Sequence, residues 1–313
     1  MSMNSATANT VVAPHIARAP IGPGPEGRKP KWLTPGRAGL YVFLIIAALF
    51  FALPLYLMLV TSFKTLGEIR LGYTFALPTK WTIGPWIAAW STACSGLTCK
   101  GVSVGFWNSV RIVVPTVSIT LLLGAMTGYA LSFWRARGAN LLFATMLLGA
   151  FLPGQIFIYP LVMFYATVHM SSSLAALVGT HVIFGLPIVT LLFRNYYGSL
   201  PIELFKAARV DGGRFFSIFW YVILPMSMPI IAVALILNTT GVWNDFIMGL
   251  VFGGRNNRPM TVELINIVAP YQAFTAYNVN MAAATLTALV PLAIYFASGR
   301  LFVRGIAGGA VKG

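Results

Sequence analysis

Apolar residues in this chain form six runs of about 20 residues each, the length that an α-helix needs to cross a bilayer. The runs predict an all-α integral membrane protein with six transmembrane helices, at about residues 40–60, 112–133, 141–165, 174–193, 226–250 and 281–303. On the second run, Gly124, Gly128 and Ser132 recur every four residues. This spacing of small residues favours close packing of one helix on another.

The composition supports a membrane location and changes the meaning of the charge. Of the 313 residues, 58% are hydrophobic and 9% are charged, whereas soluble domains contain about 25% charged residues. A net charge of +15 would indicate nucleic-acid binding in a soluble protein. In a membrane protein it indicates basic segments on the cytoplasmic side, so we expect no nucleic-acid partner.

Lys and Arg are divided unequally between the two sides of the predicted helices. With the N-terminus inside, 14 of the 21 Lys and Arg residues fall in cytoplasmic segments. The positive-inside rule requires such a bias. It predicts cytoplasmic N- and C-termini and places residues 199–225 in the cytoplasm.

Residues 1–38 are rich in Pro, Gly, Ala and polar residues and have no apolar periodicity. They predict a disordered cytoplasmic tail ahead of a membrane domain at 39–313. Residues 22–27 match the dinucleotide-binding pattern G-x-G-x-x-G, but they follow no strand and contain prolines within the turn. We therefore reject a nucleotide site there.

The most polar interior segment, residues 199–225, predicts a short helix, a turn and a second helix. Ser199 suits the cap of the first helix, Asp211 and the two glycines after it suit its end, and the second helix begins at Arg214. The small pair Ala207-Ala208 would let another protein's backbone approach closely. Two interpretations stay open: a docking site for a partner, and an amphipathic loop at the membrane surface with no partner.

Cys94 and Cys99 are the only cysteines, and four residues separate them in the external segment between the first two runs. In an oxidising periplasm this spacing favours a disulfide across a small loop. Two free thiols are the alternative. A metal site is not expected, because no His or further Cys lies nearby.

Polar residues are few within the predicted spans. A carboxylate at the centre of a membrane helix costs about 2.5–3.5 kcal/mol on insertion scales, so we expect Asp245 to face a wet cavity or the outer interface. Amide and indole side chains suit sugar hydroxyls and apolar sugar faces, and interhelical hydrogen bonding is the competing use. The candidate residues of a translocation path are Gln155, Asn238, Trp243, Asn244 and Asp245.

Two other classes of membrane protein fit the sequence less well. A membrane-embedded enzyme would need a nucleophile or a metal cluster, and the three histidines, His15, His169 and His181, occur in no such motif. No phosphate-binding G-x-x-x-x-G-K-[ST] motif occurs. An ion-coupled secondary transporter of a small polar solute remains the alternative function, although Asp245 is its single candidate carboxylate.

The polar segment resembles the cytoplasmic coupling loop of ABC importer permeases, whose pattern is Glu-Ala-Ala, three residues, Gly, nine residues and Ile-x-Leu-Pro. This chain has Lys206-Ala207-Ala208, then Gly212, then Val222-Ile223-Leu224-Pro225 at the same spacing. From about residue 40 to the end, the chain resembles the carbohydrate importer permeases of the maltose type, and its glucose/mannose-type branch most. The further matching segments are Thr61–Thr65, Phe106–Ser109, Arg194–Tyr197, Trp243–Phe246, Phe302–Gly305 and Gly309–Gly313.

The resemblance implies a permease subunit rather than an enzyme, in a bacterial inner membrane. Its implied partners are membrane lipid, a second permease subunit, a dimer of ATPase subunits and a periplasmic sugar-binding protein. ATP and Mg²⁺ would be bound by the ATPase, so we expect no cofactor on this chain. Lys206 stands where the family has a Glu and so removes one acidic contact. The residues implied to couple to the ATPase are Glu203, Lys206, Ala207, Ala208, Asp211 and Gly212.

Overall fold

The structure is a computed structural model that describes residues 35–96, 98–134, 137–269 and 276–310. The chain divides after Ala52 into two compact units. Within its described residues, the first unit contains the beginning of helix α1 (Pro35–Ser62), and the second comprises residues 53–313. The predicted tail at 1–38 lies outside the described residues except for its last four, which form the first turn of α1.

Four helices of the described chain are long and apolar enough to cross a membrane: α1, α4 (Ser103–Phe133), α7 (Leu174–Gly198) and the first 22 residues of α14 (Tyr277–Ala310). Two pairs of helical segments also qualify, and each pair bends at a short break. Helix α5 (Ala139–Phe151) meets segment Gly154–Thr167 at 100°, and segment Phe215–Met226 meets α11 (Met228–Asn244) at 79°. The described residues therefore contain four candidate spans, or up to six if each bent pair is one span.

The other elements are short. Segment Gly154–Thr167 consists of a 3-10 turn at Gly154–Phe157 and helix α6 (Ile158–Thr167). Segment Phe215–Met226 consists of α9 (Phe215–Ile218), a π-helical turn at Phe219–Ile223, and α10 (Leu224–Met226). The remaining helices are α2 (Leu66–Arg70), α3 (Gly84–Ile87) with a π-helical turn at Ala88–Thr92, α8 (Ile202–Val210), α12 (Ile247–Phe252) and α13 (Met260–Val268). One antiparallel hairpin joins β1 (Cys94–Ser95) to β2 (Thr98–Cys99), with Cys94 opposite Cys99.

The second predicted span begins at Ser103 rather than near residue 112. Its first turns contain polar side chains that are buried and hydrogen-bonded. The Asn108 side-chain amide donates to the carbonyls of Asn256 and Arg258, at 3.0 and 3.1 Å. The Ser109 hydroxyl accepts from the Met260 N–H at 2.8 Å. Because these partners come from a distant segment, hydropathy alone placed the helix start too late.

The third and fifth predicted spans differ from the helices of the structure in continuity and in length. The third is interrupted at Leu152 and Pro153 and bends there by 100°. The fifth, predicted to reach residue 250, ends at Asn244 because Asp245 adopts an extended conformation. The Asp245 carboxylate accepts from the N–H groups of Met248 and Gly249, at 3.4 and 2.9 Å. This carboxylate therefore starts a separate helix, α12, that hydropathy had merged with the span.

Helices α4 and α7 pack closely through glycine. A Cβ added to Gly124 would lie 2.5 Å from Val189 Cγ1, and one added to Gly128 would lie 2.8 Å from Phe193 Cβ. Ser132 donates to the carbonyl of Arg194 at 3.5 Å. The predicted close approach at this stripe of small residues is confirmed.

Lys64, two residues after the end of α1, is hydrogen-bonded to two other segments of the chain. Its side chain is buried, and Nζ donates to the carbonyls of Tyr73 and Thr74, at 2.7 and 3.2 Å. Its own carbonyl accepts from the Asn278 side-chain amide, at the start of α14, at 3.0 Å. A nearby turn and the start of a helix more than 200 residues away thus meet at one residue.

The segment that follows α1 is ordered by the carboxylate of Glu68. It accepts from the Thr79 hydroxyl and N–H, from the Lys80 N–H and from the Thr65 N–H at the cap of α2. These donors favour the ionised form and lower the pKa of Glu68 to about 2, the Thr79 hydroxyl contributing most.

Candidate functional site

Helix α8, within the predicted coupling loop, begins later than predicted and ends where predicted. Pro201 is its N-cap residue. Ser199 instead ends α7, where its hydroxyl donates to the Tyr196 carbonyl at 2.7 Å. At the other end, Gly212 has φ +83°, a conformation that glycine adopts without strain. Gly213 follows, and its N–H donates to the Ala208 carbonyl at 2.9 Å.

Phe205 attaches α8 to the membrane-spanning helices. Its buried ring stacks on Phe133 with centroids 4.8 Å apart and an interplanar angle of 21°. It also meets Trp134 and Tyr129 edge-on, at 5.9 and 6.3 Å. The Arg209 guanidinium lies 5.1 Å from the centre of the Trp134 ring, a cation–π geometry. These contacts fix the inner face of α8.

The outer face of α8 presents apolar, small and charged side chains together. Leu204 and Val210 are exposed, Val210 at 86% of its surface, and of the predicted coupling residues Ala208 alone is partly buried. Ala208 turns toward the aromatic cluster around Phe205. The exposed predicted coupling residues are Glu203, Lys206, Ala207, Asp211 and Gly212.

A cavity of about 320 Å³ lies between α7 and α11. Its walls are mostly apolar and include Phe184, Leu237 and Met248. Three polar side chains interrupt this apolar lining, namely His181, Asn238 and Asp245. Two of the five predicted path residues, Asn238 and Asp245, therefore share one cavity.

His181 is the cavity residue that sequence reasoning missed. Its Nε2 atom lies 3.7 Å from Asp245 Oδ2. The two residues are 64 positions apart, and no motif links them. The detectable signal was a lone histidine inside an apolar run, one turn before the glycine at 185.

The other predicted path residues lie outside the cavity lining. Trp243 is 2% exposed, and its indole N–H donates to the Thr287 carbonyl of α14 at 3.1 Å. The competing use, interhelical hydrogen bonding, therefore describes Trp243. Asn244 is exposed at the end of α11, and Gln155 is exposed on the 3-10 turn between α5 and α6. That turn approaches the cavity, because a Cβ on Gly154 would lie 3.3 Å from Met248.

The Cys94 and Cys99 sulfurs are bonded to each other across the β1–β2 hairpin. The hairpin is held against the preceding helical turn, where the Gly101 N–H donates to the Ala93 carbonyl and the Val102 N–H to the Ala89 carbonyl, both at 2.9 Å. In the part of the chain that the structure describes, no group of three His, Cys, Asp or Glu residues could hold a metal ion.

Several helices long and apolar enough to cross a membrane, with a cavity between two of them that contains three polar side chains, are typical of a polytopic membrane protein. The model of the family described as the binding-protein-dependent transport system inner membrane component matches residues 120–308. The chain belongs to this family. It is an inner-membrane permease component of an ABC transporter and not an enzyme, as the sequence resemblance had indicated. Membership also replaces the alternative of an ion-coupled secondary transporter.

Individual relatives agree with the family. The chain is 30% identical over 284 residues to a probable ABC transporter permease protein, YurM, of Bacillus subtilis, covering 90% of this chain and 91% of that protein. It is 30% identical over 283 residues to the glucose import system permease protein GlcU of Saccharolobus solfataricus. That alignment covers 87% of this chain and 95% of the GlcU protein. A solved bacterial ABC transporter involved in the import of the acidic polysaccharide alginate shares the fold, with a TM-score of 0.71 and 20% identity over 85% of this chain and 95% of that one.

Proposed function

We propose that this chain is one permease subunit of an ATP-driven sugar importer, forms half of the translocation path and docks a separate ATPase through α8. The outer face of α8 carries the docking assignment. Leu204 and Val210 are exposed there beside Glu203 and Lys206, while Phe205 holds the opposite face in place. An apolar surface rimmed by charges is typical of a protein contact.

In this proposal each bent pair is one span, so the chain crosses the membrane six times. The excess of Lys and Arg in alternate segments supports cytoplasmic N- and C-termini. Residues 1–38 would be a cytoplasmic tail, 39–313 the transmembrane domain, and 199–225 the coupling loop between spans four and five. Strongly exposed apolar side chains such as Leu141 and Phe151 of α5 would face membrane lipid.

A component of a binding-protein-dependent system works with further subunits. We propose a second permease subunit as a heterodimeric partner, two ATPase subunits and a periplasmic sugar-binding protein. ATP and Mg²⁺ would bind to the ATPase, whose closure would move α8. Phe205 packs on the end of α4 and belongs to the same buried cluster as Ile218 and Phe219 of the segment leading into α11. Movement of α8 would therefore be transmitted to the helices around the cavity.

The proposed substrate is a monosaccharide of the glucose/mannose type. The named glucose import permease of Saccharolobus solfataricus supports this class. Gln155, Asn238, Asn244 and Asp245 supply polar groups at or near the cavity. Mostly apolar walls with a few polar groups are typical of small-molecule sites.

Docking can be tested with one charge placed on the outer face of α8. Val210→Asp should sharply reduce co-purification of the ATPase with the tagged chain, because the substitution puts a carboxylate into an apolar contact. The matched control is Leu71→Asp, which changes an apolar residue of similar exposure, 71%, on the external segment. Equal recovery of the ATPase with both variants would refute docking through α8.

A further inference from the structure

The wall of the cavity between α7 and α11 contains one hydrogen-bonding group without a partner. The Asn238 Nδ2 atom is buried and has no hydrogen-bond partner, in a residue that is 9% exposed. A buried amide without a partner is unfavourable in an apolar wall. The amide lies against Gly185, where an added Cβ would come within 3.4 Å of Nδ2.

Asp245 also retains hydrogen-bonding capacity toward the cavity. Its two oxygens accept from the Met248 and Gly249 N–H groups, which fix the carboxylate in place. An ionised carboxylate has about four acceptor positions, so about two remain. His181 Nε2, 3.7 Å from Oδ2, is too distant for a direct hydrogen bond. A small polar group can therefore be shared between the two side chains.

From these groups we propose that His181, Asn238 and Asp245 form a binding site, within this chain, for adjacent hydroxyl groups of one sugar ring. Asp245 accepts a hydrogen bond from one hydroxyl, and the Asn238 side chain turns into the cavity so that Nδ2 donates to the neighbouring hydroxyl. His181 contacts the hydroxyl that Asp245 holds, and Phe184 supplies an apolar wall. This inference rests on the proposed function as a sugar importer.

The size and charge of the cavity favour one neutral ring. Small-molecule pockets have volumes of about 300–1,000 Å³, and 320 Å³ is at the lower end. A single sugar unit fits this volume better than an oligosaccharide does. The one carboxylate lies beside apolar side chains and an amide donor, a set that suits hydroxyl groups better than a metal cation.

Chemical modification of histidine measures binding at the site separately from transport, and uptake into proteoliposomes, measured beforehand, selects the probe. The full chain is assembled with its partners in lipid nanodiscs and treated with diethyl pyrocarbonate. Modified peptides are quantified by mass spectrometry. The probe is whichever of D-glucose, D-mannose and maltose the parent importer takes up fastest. We expect the probe to slow modification of His181 at least fivefold. His169, exposed and outside the cavity, should react at an unchanged rate.

Two variants separate direct contact from a change of conformation. Asn238→Leu and the isosteric Asp245→Asn each remove one proposed hydrogen bond. The probe concentration that protects His181 should rise about tenfold, which corresponds to about 1.4 kcal/mol. Without the probe, the His181 modification rate should match the parent in at least one variant, which shows that the cavity is intact.

The outcomes distinguish this site from the proposed function. Sugar uptake without protection of His181, or protection unchanged in both variants, overturns the site and leaves the importer assignment standing. Altered His181 reactivity in both variants without the probe also overturns it, because the three side chains would then be structural. No uptake of any of the three sugars overturns the proposed function and the site with it.

Discussion

The attachment of α8 by a single aromatic side chain leads to a quantitative prediction. Phe205→Ala removes a buried ring that stacks on Phe133 and meets two further aromatic rings. Truncation of a buried Phe costs about 3–5 kcal/mol. With a tenfold change for each 1.4 kcal/mol, a loss of about 3 kcal/mol makes local opening of α8 more than 100-fold more frequent.

Trypsin measures this opening, because Lys206 and Arg209 lie within α8 and are cut when the helix unfolds. When opening and closing are fast relative to cleavage, the cleavage rate follows the population of the open form. We expect Phe205→Ala to raise cleavage at these two sites by about 100-fold in the purified full-length chain. Cleavage after Arg255, in the distant segment that follows α12, should not change.

The control variant is Val210→Ala, on the same helix, where the side chain is exposed and its loss leaves no cavity. Its cleavage rates should equal those of the parent. If Phe205→Ala raises the rate of cleavage within α8 less than threefold, this ring does not attach α8. An equal increase after Arg255 would show general unfolding, which would also contradict it.

Three further predictions concern the turn, the hairpin and the external segment. Gly212→Val should reduce sugar-stimulated ATP hydrolysis about tenfold, because a residue other than glycine in the left-handed conformation costs about 1–2 kcal/mol. Gly212→Asn should reduce it less. Equal rates of ATP hydrolysis in the two variants would contradict this reason. Cys94 and Cys99 should not react with a thiol reagent in unfolded, non-reduced protein, and both should react after reduction. The lowered pKa of Glu68 contributes stability that is present above pH 4.5 and lost as the pH falls through about 2. Pepsin should therefore cleave this segment faster in Glu68→Gln than in the parent at pH 4, and at the same rate in both at pH 1.5. If the ratio of the two cleavage rates is the same at both pH values, the ionised Glu68 carboxylate does not stabilise the segment.

Hydropathy located the helices well where polar signals coincide with their ends. Helix α7 begins at residue 174 as predicted, because the Ser173 hydroxyl accepts from the Ala176 N–H at 3.1 Å. It continues past the predicted end at 193 to Gly198. Arg194 and Asn195 lower the local hydropathy, yet the following Tyr197 is buried in the aromatic cluster. Burial by a distant segment is not visible in a local sequence window.

Helix α8 could be predicted from sequence because its signals are local. A proline at the start and glycines at the end bound nine residues with one apolar anchor. The cavity was less predictable. Asn238 and Asp245 were selected as polar residues within an apolar run, but His181 joins them only through the packing of α7 against α11. Trp243 has the same sequence context as its neighbours, and its orientation toward α14 separates it from the cavity.

The contacts of Lys64 have a consequence for biosynthesis. Asn278, which donates to the Lys64 carbonyl, is 214 residues further along the chain. At 5–20 residues per second, a ribosome needs about 10–40 s to make that stretch. During this interval the start of α14 does not yet exist, and Lys64 lacks one of its three hydrogen bonds to other segments. Helix α14, which is made late in synthesis, therefore supplies the final hydrogen bond of Lys64, a residue that follows α1.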